Sequence, residues 1–231
     1  MNGKCVRLLH GAFDTSKIYA DDPLEVARAL EAAGVEYLHL VDLDGARQGK
    51  PVHLEVLEKI CSSTQLKVDY GGGLRQPQSM LWALDAGASK VNVGTGLVTA
   101  TGGVAAWTSK ATPGRIIAAV DVRQGMVQVA AWTEETSLEV TAFIQQLLDE
   151  GIQDVCVTDI GSDGTLLGPA FELYRQLRAA FPGIFLRASG GVSSMDDLQA
   201  LRSAGMDAAI VGKAMYEGRI TMKAMAEFSK I

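Results

Sequence analysis

Gly72-Gly73-Leu74-Arg75 follows the short apolar run Leu66–Tyr70 and precedes a helix-like stretch, and Gly190-Gly191-Val192-Ser193 does the same after Phe185–Ala188. The offset between Gly72 and Gly190 recurs between Gly87 and Gly205, in two Ala-Gly pairs, and between Gly94 and Gly212, in two Val-Gly pairs. Upstream, Gly34 with Asp42 resembles Gly151 with Asp159 at an offset one residue shorter. Gly3-Lys4-Cys5-Val6-Arg7 lines up in turn with Gly125-Met126-Val127-Gln128-Val129. Landmarks in one order at nearly one offset mark a duplicated half, far longer than a solenoid period.

Between these landmarks the chain alternates strand and helix. Val- and Ile-rich runs read as buried parallel strands at Glu36–Val41, Leu66–Tyr70, Lys90–Val93, Ile116–Val120, Asp154–Thr158, Phe185–Ala188 and Ala208–Val211. Amphipathic helices are expected at Pro23–Ala33, His53–Ser62, Gln76–Ala86, Gly103–Lys110, Leu138–Glu150, Ala170–Ala180, Ser194–Ala204 and near Thr221–Ser229. Asp22-Pro23 is a helix-start signal, and the Ala-Gly pairs are helix stops. The expectation is an α/β (βα)8 barrel (a TIM barrel) made of two duplicated half-barrels, one domain spanning residues 1–231, with its first strand missing. Asp121 lies four residues before Gly125, so its counterpart would fall four before Gly3, ahead of Met1. A start placed too late is the preferred explanation, and a true truncation the alternative.

Charge and composition narrow the classes of function. Of 231 residues, 27 are acidic and 21 basic, a balance that disfavours nucleic-acid binding. No apolar stretch reaches membrane-spanning length. Cys5, Cys61 and Cys156 are widely spaced and odd in number, which suits a reduced cytoplasmic protein without a metal site. His10, His39 and His53 show no metal spacing and read as structural. Chemistry in such barrels sits at the C-terminal ends of the strands. There Gly72, Gly73, Gly94, Thr95, Gly190, Gly191, Gly212 and Lys213 form two sets related by the repeat. Glycines let backbone N–H groups approach an anion, although tight strand-to-helix turns also need them. Two equivalent sets suit a ligand with two phosphates.

The motifs Val41-Asp42-Leu43-Asp44-Gly45-Ala46, Gly71-Gly72-Gly73-Leu74-Arg75, Asp159-Ile160 with Asp163-Gly164-Thr165, Ser189-Gly190-Gly191-Val192 and Val211-Gly212-Lys213-Ala214-Met215-Tyr216-Glu217-Gly218 together resemble the histidine-biosynthesis isomerase family, over essentially the whole chain. The resemblance implies a (βα)8 barrel, a small-molecule substrate with a phosphate at each end, and an Amadori rearrangement of aminoaldose to aminoketose without a cofactor. It implies Asp121 as general acid, with the general base on the aspartate expected ahead of Met1. It further implies a site role for Asp163, a substrate-stacking role for Trp132, and a substrate contact for Arg7; Thr158, a catalytic candidate by position, ends its strand facing either the site or the barrel interior. No metal, membrane or nucleic-acid partner is expected, and a monomer is. Alternatives are a catalytically dead phosphosugar-binding truncation, the related cyclase of the same pathway, and a dual isomerase that also takes phosphoribosyl anthranilate.

Overall fold

The computed structural model describes the backbone of residues 1–9, 12–99 and 101–230, and their side chains except at 8–16. The expected histidine at position 10 therefore lies outside the described residues. In chain order the elements are β1 (Cys5–Leu9), β2 (Ala12–Ala20), α1 (Pro23–Ala32), β3 (Tyr37–Val41), α2 (Leu43–Gln48), α3 (Leu54–Ser63), β4 (Lys67–Gly71), α4 (Pro77–Asp85), β5 (Lys90–Val93), α5 (Thr95–Thr99) and α6 (Ala105–Thr108). The remainder are β6 (Ile116–Arg123), β7 (Met126–Val129), β8 (Glu134–Glu139), α7 (Val140–Asp149), β9 (Asp154–Asp159), α8 (Phe171–Ala180), β10 (Phe185–Ser189), α9 (Met195–Ser203), β11 (Ala208–Ala209), α10 (Lys213–Tyr216) and α11 (Met222–Phe228).

Seven strands run parallel in the order β3-β4-β5-β6-β9-β10-β11, the path of a curled α/β sheet of the (βα)8 type. On this path β7 pairs antiparallel with β6, and β8 with β7, so the Gly125–Ala131 segment belongs to a hairpin. A second hairpin, β1 with β2, stands apart from the main sheet. Among the described residues no strand pairs with the outer edge of β3 or of β11.

Helix ends follow local chemistry. The Asp22 carboxylate accepts from the Leu24 amide at 2.9 Å, and Pro23 opens α1. Ser194 and Asp197 form a reciprocal capping box at the start of α9. The helices bury Leu57, Ile60, Met80, Ile144, Leu147, Tyr174 and Leu177 against the outer face of the sheet. The inner face is polar and alternates with the period of two that strands impose. His39, Asp69, Asn92, Cys156 and Arg187 point into the interior, with Asp121, Thr158 and Ser189 toward the C-terminal ends.

Candidate active site

The parallel register between β6 and β9 sets Asp121 directly opposite Thr158, near the C-terminal ends of both strands. Thr158 and Trp132 hydrogen bond to the Asp121 carboxyl group. Enclosure in the interior pushes this carboxyl above the ordinary range, helped by the negative charge of Asp163; the two hydrogen bonds and His39 oppose the shift without cancelling it. Asp121 is therefore set up to hold a proton longer than a free carboxylic acid would.

Asp163 sits in the turn after β9, where its amide donates to the Asp159 carbonyl at 3.1 Å. Its two carboxylate oxygens accept from Arg7 Nη2 at 2.9 and 3.0 Å, a contact 156 positions apart in sequence that ties the β1–β2 hairpin to the mouth of the sheet. Trp132 lies on the loop between β7 and β8. Ala130, Ala131 and Trp132 all have positive φ, at 54°, 54° and 71°, a left-handed run that costs a few kcal/mol, roughly 1–3 per residue. The Ala130 amide donates to the Thr95 hydroxyl at 2.9 Å, which anchors the loop to the end of β5.

Both glycine turns are demanded by the backbone. Gly72 has φ +104°, and a Cβ there would lie 2.2 Å from the Asp42 carbonyl oxygen; at Gly191, with φ +81°, it would lie 2.1 Å from that of Gly168. Tight packing thus accounts for these glycines by itself, as the sequence left open. Gly94 and Gly212 precede the short helices α5 and α10, at repeat-related places. The Lys213 ammonium donates to the Gly164 carbonyl at 2.8 Å, across to the turn that carries Asp163.

All the expected site residues line one cavity of about 1140 Å³: Arg7, Asp121, Trp132, Thr158 and Asp163, with Gly72, Gly73, Gly94, Thr95, Gly190, Gly191, Gly212 and Lys213. Beneath them lies a charged layer that the sequence does not announce. His39 Nδ1 and Asp69 Oδ1 are 2.5 Å apart; Arg187 grips Asp154 at 2.7 and 2.8 Å, and Lys90 reaches Asp154 at 2.6 Å. Burial works against a charged His39, but the adjoining Asp69 carboxylate outweighs it and lifts the imidazole above its usual value. His53 is likewise paired, with Asp44 at 2.8 Å. The detectable signal was a lone polar residue at alternate positions of strands that are otherwise apolar. Among the described residues no group of three metal-ligating side chains occurs, and no helix is long and apolar enough to cross a membrane.

Fold and cavity together define an α/β-barrel protein with an acid-bearing mouth and two repeat-related glycine turns. The chain belongs to the family described as Histidine biosynthesis protein, which matches residues 1–221. It is 42% identical, over 99% of its length and 96% of the relative's, to a protein of Parabacteroides distasonis named 1-(5-phosphoribosyl)-5-((5-phosphoribosylamino)methylideneamino) imidazole-4-carboxamide isomerase. A protein of the same name from Flavobacterium johnsoniae is 43% identical over 99% of this chain and 95% of its own, and one from Cytophaga hutchinsonii is 41% identical over the same shares.

Proposed function

We propose that this chain is an aldose–ketose isomerase of histidine biosynthesis, which converts the aminoaldose named for its relatives into the aminoketose by an Amadori rearrangement. Asp121, whose carboxyl its enclosure raises, donates its proton to the ribose ring oxygen as the C1–O bond breaks and the amine nitrogen forms a Schiff base to C1. Loss of the C2 proton then gives an enolamine, and proton return at C1 with ketone formation at C2 completes the balance. Beyond the opening of the C1–O bond every step is a proton transfer, written without a cofactor.

Removal of the C2 proton calls for a carboxylate on the wall facing Asp121, which is the sheet position between β11 and β3. Thr158 holds Asp121 in place, Asp163 and Arg7 form the polar wall beside it, and Trp132 offers a ring for the imidazole to stack on. The two phosphates fall to the repeat-related turns, Gly72, Gly73, Gly94 and Thr95 on one side, Gly190, Gly191, Gly212 and Lys213 on the other. The observation that carries this reading is the protonation-prone Asp121, hydrogen-bonded at its strand end inside the cavity that both turn sets line. NMR of the aminoaldose incubated with the protein tests it: a ketose C2 carbonyl resonance is expected, and an unchanged substrate spectrum would refute it.

A further inference from the structure

The hairpin after β6 sets another polar side chain against the acid. In the antiparallel ladder of β6 and β7, Gln128 stands directly opposite Asp121, and Val127 opposite Val122. Directly opposed residues of such a ladder share a face, with Cβ atoms roughly 4.5–5.5 Å apart. Val122 and Val127 are both 1% exposed and belong to the core that α7 covers. Gln128 therefore shares the alternate face, where Asp121 meets Thr158 of β9. Two residues further on, the Ala130 amide donates to the Thr95 hydroxyl, which pins this end of the strand beside the end of β5.

Gln128 is only 5% exposed, and its Nε2 is buried without a hydrogen-bond partner. A buried amide donor left unpaired works against folding. The neighbours of Asp121 account for the idle donor. Thr158 and Trp132 already hydrogen bond to the carboxyl group, while Asp163 and His39 act on it through their charge. Glu135, opposite Gln128 on its other side, is exposed to water. An ionised carboxylate has about four lone-pair sites for donors. Room for a further hydrogen bond thus opens when Asp121 gives up its proton.

We infer that Gln128 is a positioning residue for the acid, its Nε2–H group turning to the Asp121 carboxylate as the proton leaves for the ribose ring oxygen. Gln128 itself gains and loses no proton. Its N–H group meets a charge that develops only during the transfer, so it stabilises the transition state and leaves substrate binding alone. The effect on turnover rests on the reading of Asp121 as the acid. The contact with the carboxylate needs no substrate.

Gln128→Met keeps the length of the side chain and removes the amide, and it tests the inference in two ways. Carbon-13 NMR of aspartate-labelled protein follows the Asp121 carboxyl through a pH titration, with Asp121→Asn identifying its signal. Loss of a donor to the carboxylate should move that titration to higher pH. Stability in urea should hold or rise, because an unpaired buried amide has gone. Turnover should fall by about tenfold in kcat with KM unchanged, and Glu135→Gln should match wild type in both titration and turnover. An unmoved Asp121 titration would overturn the proposal, and so would a moved one with wild-type kcat. A moved titration in a protein whose wild type converts no substrate would count against the isomerase reading and uphold the contact.

Discussion

Arg7 Nη2 holds both oxygens of Asp163, joining a hairpin near one end of the chain to the turn after β9. The side chains are 26% and 14% exposed, so the pair is sheltered and the charge on each keeps the other in place. In the proposed mechanism an anionic substrate shares or displaces this contact. Arg7→Ala should lower kcat/KM by roughly ten- to a hundredfold, equivalent to about 1.5–3 kcal/mol. Arg7→Lys should recover only part of the loss, since an ammonium cannot reproduce the planar fork. Steady-state kinetics of the two variants checks this, and wild-type kinetics in Arg7→Ala would remove the pair from the site.

In the proposed mechanism Asp121 acts as an acid, so its protonated form is the working one. Its carboxyl is raised by enclosure, and kcat should fall as pH rises through that elevated value. The pH–rate profile should therefore carry a descending limb that moves to lower pH in Thr158→Val only if the lost hydrogen bond is outweighed by added water. The direct expectation is the opposite: Thr158 lowers the Asp121 value, so its removal should shift the limb to higher pH. An unmoved limb would show that it belongs to another group.

His39 and Asp69 give the interior a pH-dependent contribution to stability. His39 is raised by Asp69, so its contribution is fully present below the ordinary histidine value of about 6.5 and is lost as pH climbs through the folded value. Asp69 is lowered against the opposing effect of burial, chiefly by His39, so its share is present above about 3.9 and is lost as pH falls through its depressed value. Urea unfolding of wild type and His39→Asn should differ most near pH 5–6 and least in alkaline solution. A constant difference across pH would mean that His39 titrates alike in the folded and unfolded protein.

Two glycines with similar φ should behave differently. A Cβ at Gly191 meets the Gly168 carbonyl at 2.1 Å, whereas nothing lies within 4 Å at Gly125. Gly125→Ala should cost only the left-handed penalty, about 1–2 kcal/mol, while Gly191→Ala should cost distinctly more and distort the turn. Equal losses in a urea titration would contradict the packing account.

Much of this fold was legible because the parallel strands are short runs carrying buried Val and Ile, so Ile116–Val120 stands out from the amphipathic helices beside it. The repeat supplied the order. Cys5–Ala20 was not legible as a hairpin, since among the described residues its strands pair only with each other, and they carry no uniform apolar run. The helix expected at Gly103–Lys110 shortens to Ala105–Thr108 because Gly102 and Gly103 both take positive φ, and the strand expected at Ala208–Val211 shortens to Ala208–Ala209 at an edge that no other strand pairs among the described residues. At the site, strand-end position and resemblance singled out Asp121. The His39–Asp69 pair escaped notice because its members lie on adjacent strands thirty residues apart, where no local spacing connects them.

The central claim is that Asp121 delivers the proton that opens the ribose ring. The most direct measurement is turnover of the aminoaldose by wild type beside Asp121→Asn, with substrate binding measured in parallel. Conversion by wild type and a loss of roughly 10²–10⁴-fold in the variant, with binding little changed, is the predicted result. Equal rates in the two proteins, or no conversion by wild type, would contradict it.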